Sequence, residues 1–374
     1  MKSVAFFCDN LVKTKHTENQ DVFVFDEKRI NIGLIEEEDL SLSEFENPDD
    51  YVLVKKNAFS CNFRDRAVLL GRYFQIKEDE EKRRLSYNYI GSEFVGEVIE
   101  VGKNVKDFKI GDKVIPNISY PSYSKDYTPG LPTDYSSMRI EGFKSNNLFK
   151  VPKDIPDEVL ASFPIAAFTS YSMIRKVITP HSKVLVTSAK SNTSLAIIRA
   201  LRNYSVQVYA MTSNNLFSDQ LKSMGVEDVI VVNHGFNNYL EDKIVKNQLK
   251  EIGGFDVVFD PFFDTHLPRV IDLINMDGKY ITCGLANQLR QPDYEIKGLS
   301  FSDVIIKAMI NNISIIGNCI GVEEDGLKAL EDYQNGKFEV IIDKVYSLGQ
   351  EKLFFERAFN FDKKIGKVVY KYKN

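Results

Sequence analysis

At 374 residues the chain is too long for one ordinary hydrophobic core, so two domains are expected, each able to bury a sizeable interior. Its net charge of -5 argues against nucleic acid or an anionic membrane as the main partner, because those favour clustered Lys and Arg. The four cysteines, at 8, 61, 283 and 319, show no CxxC spacing, the N-terminal apolar run is too short for a signal peptide, and no apolar stretch approaches a bilayer crossing. A cytoplasmic location follows from that combination.

Residues 1–50, including the acidic stretch from Glu36 to Asp39, resist assignment. From Val4 to about Pro152 the pattern is short strands broken by Gly, Pro and Asn-Asp clusters, and Tyr51-Val-Leu-Val-Lys-Lys shows the period of two of an antiparallel strand. The mixed-sign run from Lys77 to Arg84 reads as a solvated helix or loop. Around Ile155 the pattern turns helical, with a second helix from Ala166 to Val177 beyond Pro164. Strands then alternate with helices: strands at Lys183-Val-Leu-Val, Val206 to Met211, Asp228 to Val232 and Phe255 to Asp260, with helices from Ser194 to Asn203 and through Leu221 and Met224. Strands near Asp277 to Gly284 and Ile313 to Gly317 extend the set. This order predicts a doubly wound parallel sheet that binds ligands at the carboxyl ends of its strands. The final strand, helix, strand from Val340 to Lys371 has no sheet of its own and is expected to rejoin the first domain.

Within the first half, the segment Gly91-Ser-Glu-Phe-Val-Gly-Glu-Val-Ile-Glu-Val-Gly-Lys-Asn-Val-Lys-Asp-Phe-Lys-Ile-Gly-Asp-Lys-Val114 describes a tightly folded small barrel. Gly96, Gly102 and Gly111 mark bends or positive φ, and Val98, Val101, Val105 and Phe108 supply the inward face. This segment resembles the catalytic domain of the medium-chain dehydrogenase/reductase superfamily, where it lies beside the nicotinamide cleft. The resemblance covers about residues 50–372. It implies an α/β chain with a GroES-like β-barrel catalytic domain at 1–155 and 322–374, and a Rossmann doubly wound parallel-sheet cofactor domain at 156–321.

A Rossmann turn ordinarily carries glycines, so that the backbone can bend sharply and approach a pyrophosphate at a helix N-terminus. Here it reads Thr187-Ser-Ala-Lys-Ser-Asn-Thr-Ser194, with no glycine. Ser188, Ser191, Asn192 and Ser194 match the family's glycine positions; they are small, and with Thr193 they offer polar groups to phosphate oxygens, while Lys190 adds a cation. The competing reading is a scaffold turn that no longer binds nucleotide. About twenty residues further on, where an NAD site would place a carboxylate, Thr212, Ser213 and Asn214 stand instead, which favours NADPH over NADH. By resemblance, Thr169 in Ala166-Ala-Phe-Thr-Ser-Tyr171 contacts the nicotinamide nucleotide, and the strand end Thr282-Cys283-Gly284-Leu285 offers backbone groups to the carboxamide.

Zinc alcohol dehydrogenases of the superfamily use a Cys, a His-Glu pair and a later Cys or Asp, and a catalytic zinc needs three protein ligands and an open position. At the matching positions this chain has Asn62 and Ser92-Glu93, with Cys61 one residue out of register and no four-cysteine lobe. No metal is therefore expected. Cys61-Asn-Phe-Arg-Asp65 followed by Gly71-Arg-Tyr73 resembles the zinc-independent quinone and enoyl reductase branch. That likeness implies that Asn62 bonds near the cofactor ribose or substrate, that Asp65 fixes the loop, and that Tyr73 faces the cleft as the candidate proton donor, since Phe63 stands where enoyl reductases have a tyrosine. The bland alternative for Tyr73 is a half-buried side chain bonded to a backbone carbonyl.

Without a metal to polarise a simple ketone, conjugate hydride addition to an activated C=C is the chemistry implied, with a proton then delivered to the α-carbon. Quinones, enones, enoyl thioesters and the dehydroalanine of a peptide are the substrate classes. The peptide-tailoring reductases of lanthipeptide pathways belong to the same superfamily, and Tyr120, Tyr123, Tyr127 and Tyr135, interleaved with Pro121 and Pro129, could line a cleft wide enough for a peptide. The alternatives are a zinc-type alcohol dehydrogenase and a catalytically silent binding or structural relative. By resemblance the chain forms a homodimer through the Rossmann sheet edge at Ile313-Ser-Ile-Ile-Gly317.

Overall fold

The computed structural model describes residues 1–7, 17–81, 87–119, 131–289, 291, 294–359 and 364–372. The chain divides into two compact units, residues 1–165 with 342–374 and residues 166–341. Among the described residues no helix is long and apolar enough to cross a membrane.

The first unit opens with β1 (Lys2–Phe7), β2 (Thr17–Phe25) and β3 (Lys28–Glu36). β2 and β3 form a hairpin whose two loop residues, Asp26 and Glu27, have φ of 49° and 62°, the left-handed pair that matches the twist of antiparallel strands. Next come β4 (Tyr51–Ser60), helix α1 (Asp65–Glu81), β5 (Tyr87–Asn88), β6 (Glu93–Val101), β7 (Lys113–Pro116), β8 (Ile140–Lys144), β9 (Leu148–Lys150) and the short α2 (Asp157–Leu160). β4 is antiparallel to β6 and β8, as its alternation predicts. In the glycine-spaced segment, Gly111 has φ +84°. Gly96 and Gly102 serve close approach instead: a Cβ would lie 2.5 Å from the Val54 side chain at one and 2.4 Å from the Pro48 carbonyl at the other. Val98 is fully buried, and Val101, Val105 and Phe108 pack against the same core.

Helix α3 (Pro164–Val177) leads into the second unit, with Pro164 as its first residue, where a missing N–H costs nothing. There follow β10 (Lys183–Val186), α4 (Asn192–Leu201), β11 (Gln207–Thr212), α5 (Ser218–Ser223), β12 (Asp228–Val231), α6 (Lys243–Ile252), β13 (Phe255–Asp260), α7 (Phe263–Val270), β14 (Ile274–Thr282), α8 (Phe301–Ile310), β15 (Ser314–Gly317) and α9 (Glu323–Gln334). The sheet is six-stranded and parallel, in the order β12-β11-β10-β13-β14-β15. Its order reverses between β10 and β13, so the turn after β10 lies at the switch point where such sheets take ligands.

The chain returns as β16 (Ile342–Tyr346), α10 (Glu351–Phe359) and β17 (Lys367–Lys371), and β17 pairs with β4. The return comes at 342 rather than 322 because α9 is held by α3: Arg175 clamps Asp325 with bonds of 2.8 and 2.9 Å, Tyr171 donates to Asp332, and the Phe168 ring fills the space where Gly326 has no side chain. The N-terminal residues, unassigned from sequence, supply three strands of a four-stranded sheet in the order β2-β3-β1-β5. That sheet is anchored on α10, where Phe23 meets Phe355 at 5.6 Å and Phe25 meets Phe359 at 5.3 Å between ring centroids.

Candidate functional site

The residues at the superfamily's metal positions lie in the first unit, at the end of β4 and the start of β6. They form a closed polar network. Glu93, fully buried, accepts from Ser60 Oγ at 2.7 Å and Asn62 Nδ2 at 2.9 Å through Oε1, and from the Ile165 N–H at 3.0 Å through Oε2. Lys367 of β17, 1% exposed, bonds both Glu93 Oε1 and Asn62 Oδ1. Asn62 Nδ2 also reaches Ser92 Oγ at 3.1 Å, and Ser92 donates to Asp65 at 2.9 Å. Asp65 takes the Asn62 N–H at 2.7 Å, which fixes the loop that enters α1. Burial pushes the Asp65 carboxyl up to about 6, against the pull of Arg64.

This donor set does not suit a metal. An amide, a hydroxyl and a carboxylate already paired with an ammonium leave no three anionic or imidazole ligands, and no group of three His, Cys, Asp or Glu suited to a metal occurs among the described residues. Cys61 is buried in the core, where desolvation raises its thiol well above the ordinary range, so it sits there as an apolar side chain.

Tyr73 does not open to solvent. It is 6% exposed within the core of the first unit, and its hydroxyl donates to the Arg29 carbonyl at 3.2 Å. The one-turn spacing of Tyr73, Leu69 and Ile76 on α1 carries it to the buried side, and β3 supplies the waiting carbonyl. Of the four tyrosines seen as a cleft lining, Tyr120, Tyr123 and Tyr127 lie outside the described residues; Tyr135 stacks over the Arg72 guanidinium at 4.0 Å.

In the second unit, the turn after β10 is built without glycine. Ser188 takes φ +44°, the left-handed conformation for which glycine is the usual choice. Ser191 is the N-cap of α4: its Oγ accepts the Ser194 N–H at 3.2 Å, while Ser194 Oγ donates to the Thr187 carbonyl at 2.7 Å. Ser188 Oγ bonds His266 Nε2 at 2.8 Å, and Thr187 Oγ1 donates to Asp260 at 2.7 Å. Burial raises Asp260 to about 6, although Tyr280, Thr187 and the Phe262 N–H all donate to it. Most of the turn's hydroxyls are thus spent inside the unit, while the first N–H groups of α4, on Asn192 and Thr193, begin the helix.

At the end of β11, Thr212 is buried, Ser213 is exposed and Asn214 accepts the Leu216 N–H at 3.2 Å. The Lys190 ammonium stands 5.9 Å from the Phe217 ring in the same stretch, bringing a cation from the turn to this strand end. After β14, Cys283, Gly284 and Leu285 are half-buried, and the Gly284 carbonyl accepts the Phe263 N–H at 3.1 Å. Asp264 pins the next loop by taking the N–H groups of Ala286 and Asn287 at 2.7 and 2.9 Å. Thr169 is buried in α3. The structure thus groups Ser188, Lys190, Ser191, Asn192, Thr193, Ser194, Thr212, Ser213, Asn214 and the 283–285 strand end along the carboxyl ends of one sheet. Sequence reasoning missed Lys367, His266 and Asp260. Nothing local to them signals a role, because their partners Glu93, Ser188 and Thr187 are separated from them by 274, 78 and 73 residues.

Residues 48–138 match the alcohol dehydrogenase GroES-like domain. An acryloyl-coenzyme A reductase of Sulfurisphaera tokodaii is 26% identical over 343 residues, covering 86% of this chain and 92% of that relative. Polyketide synthases also match, but the chain spans only 4% to 10% of their length. Among solved structures, a thermostable alcohol dehydrogenase from Pyrobaculum aerophilum aligns with a TM-score of 0.70 at 20% identity, over 94% of this chain and 98% of that one. A quinone oxidoreductase from Coxiella burnetii aligns with a TM-score of 0.68 at 18% identity, over 100% of both chains. These two structural likenesses bear on the fold. Taken with the glycine-spaced barrel segment and the parallel sheet with its switch-point turn, they show a chain that carries a GroES-like domain at 48–138, has the fold of those alcohol dehydrogenase and quinone oxidoreductase structures, and is similar over most of its length to an acryloyl-coenzyme A reductase.

Proposed function

We propose that the chain is an NADPH-dependent reductase of activated C=C bonds that works without a metal. The observation that carries this reading is the Asn62–Glu93–Lys367 network. Where a zinc enzyme would hold its ion, a buried ammonium and carboxylate satisfy one another, so the electrophile for a simple ketone is missing from those positions. An alkene conjugated to a carbonyl needs no such electrophile, since the carbonyl itself takes the charge. The likeness to an acryloyl-coenzyme A reductase supports the same class.

The cofactor, when bound, supplies hydride. The residues fit it at the switch point: Asn192 and Thr193 present the first N–H groups of α4 to the pyrophosphate, and Thr212, Ser213, Asn214 and Lys190 suit the 2′-phosphate better than they suit a free ribose diol. Gly284 and Leu285 would position the carboxamide by backbone bonds. Tyr73 is not assigned proton delivery, because its hydroxyl is committed to Arg29; water or a substrate-side hydroxyl takes that role. Enoyl thioesters lead the substrate classes, with quinones and dehydroalanine peptides next. A second copy of the chain docks on the edge strand β15 and α8, which expose Phe301, Met309 and Ile310.

One observation favours a second reading. The hydroxyls of Ser188, Ser191 and Ser194 all bond within the protein, as in a silent relative whose turn is only a scaffold. Calorimetric titration with NADPH and, separately, NADH decides between them. Micromolar binding with NADPH tighter is expected, followed by oxidation of NADPH on adding acryloyl-coenzyme A, at a rate that neither added zinc nor a chelator changes; the same sample should sediment as a dimer. Binding of neither nucleotide makes the silent reading correct, and zinc-dependent turnover makes the metal-free one wrong.

A further inference from the structure

The glycine-free turn is tied to a buried polar chain that the reductase reading leaves unused. Ser188 holds φ +44°, a left-handed conformation that is strained for a residue with a side chain. Its Oγ bonds His266 Nε2 at 2.8 Å, and His266, on α7 and 1% exposed, bonds the Tyr239 hydroxyl through Nδ1 at 3.0 Å. Tyr239, also 1% exposed, receives Arg269 Nη1 at 3.3 Å and reaches His234 Nδ1 at 3.2 Å. Arg269 can only donate, so the tyrosine oxygen accepts from it and has one proton left to give. A neutral imidazole, one nitrogen donating and one accepting, is the side chain that can join that phenol to a serine hydroxyl.

We propose that His266 is a positioning residue for the dinucleotide: through Ser188 it holds the turn in its left-handed bend, and so fixes where the first N–H groups of α4 meet the pyrophosphate. Hydrogen bonds do here what the absence of a side chain does in a glycine-rich turn. Two further observations agree. Ser188 is the one residue of the turn with positive φ, and its carbonyl accepts the Ser191 N–H at 2.8 Å, so the bend sets the position of the helix cap itself. Burial pushes His266 down to about 3, which keeps it neutral and able to bridge at physiological pH. The role rests on the cofactor reading given above.

The test uses the side-chain geometry of histidine. Asparagine places a polar atom near Nδ1 and keeps the Tyr239 bond; glutamine reaches the Nε2 position and keeps Ser188. His266→Asn should weaken NADPH binding about tenfold, a loss of about 1.4 kcal/mol, with KM raised and kcat little changed, whereas His266→Gln stays close to the parent. Adding Ser188→Gly to His266→Asn should restore affinity, because glycine needs no tie to hold positive φ. Ser188→Ala, which leaves the histidine core intact, should bind more weakly than Ser188→Gly. Parental affinity in a folded His266→Asn protein, no recovery in the double variant, or equal affinity of the Ala and Gly variants would each overturn the role. If the parent protein binds neither nucleotide, the cofactor reading itself fails and this role with it.

Discussion

Each unit lacks the residues that mark its site in better-known relatives, and each fills the gap in a different way. In the first unit the metal positions are closed by charge: Glu93 is sealed with Lys367 under Asn62, Ser60 and the Ile165 N–H. In the second the glycine positions are closed by neutral hydroxyls that bond to a backbone carbonyl, a helix N–H and an imidazole. The two repairs differ in how they tolerate change. A buried ion pair is worth little as a whole, yet losing one member strands a charge in the interior. A neutral hydrogen bond, lost singly, costs about 1 kcal/mol and leaves its surroundings workable. The first site is therefore all-or-none, while the second can be altered by degrees.

The largest expected effect comes from breaking the charged repair. Lys367→Met removes the ammonium and leaves Glu93, which is fully buried, without a counter-charge, at an expected cost of about 3–5 kcal/mol in urea unfolding. Combining it with Glu93→Gln leaves no charge behind and should recover most of that loss, because the amide oxygen can still accept the Ile165 N–H while its NH2 donates to the Ser60 hydroxyl, which can turn to accept. Equal losses in the single and double variants would mean that packing, not charge, is what Lys367 supplies.

A smaller effect separates the units by pH. Asp65 in the first unit titrates near 6, above the ordinary value of 3.8, because burial disfavours its anion. Between those values the folded protein holds a proton that the unfolded chain has released, so stability falls as pH rises from about 4 to about 6 and is level above that. Asp65→Asn removes this term, and relative to the parent it should gain up to about 3 kcal/mol over that interval. In the second unit Asp260 carries the same sign, but His266, held down to about 3, carries the opposite one: the unfolded chain takes up a proton below about 6.5 that the folded unit refuses. Asp260→Asn should then expose a rise in stability with pH. An unfolding series in which the Asp65→Asn difference stays flat from pH 4 to 6 would refute the assignment.

How much of this was legible in the sequence follows from the range over which each signal acts. The alternation of Tyr51 to Lys56, the glycine spacing from 91 to 114 and the strand-helix rhythm after 183 are local, and the strands and helices appear where those patterns place them. The β2–β3 hairpin escaped notice because its loop is Asp26-Glu27, and glutamate at φ 62° gives none of the Asn-Gly or Asp-Gly signal by which such turns are known. The return point was set too early because α9 belongs to the second unit through Phe168, Tyr171 and Arg175, contacts between distant segments. The site divides in the same way. Its turn is readable as a contiguous string, but the partners that decide what each side chain is free to do, Lys367, His266 and the Arg29 carbonyl, come from remote positions. Tyr73 illustrates the consequence: its motif pointed toward chemistry, while its burial and its bond to β3 are settled by tertiary packing.

The smallest effect tests whether the neutral repair is as forgiving as its chemistry implies. Ser191 caps α4 with a 3.2 Å bond to the Ser194 N–H, and its own φ of -69° is one that any residue adopts, so no conformational reason requires glycine or serine there. Ser191→Ala removes the cap acceptor and should cost about 1 kcal/mol, whereas Ser191→Gly should cost only a few tenths, since an unshielded glycine N-cap lets water satisfy the freed N–H. Read by urea unfolding, that ordering distinguishes Ser191 from Ser188, three positions earlier, where φ +44° makes conformation the deciding term and glycine the better residue outright. If both the Ala and Gly variants at 191 match the parent, the cap bond contributes nothing, and the turn is held by Ser188 and Ser194 alone.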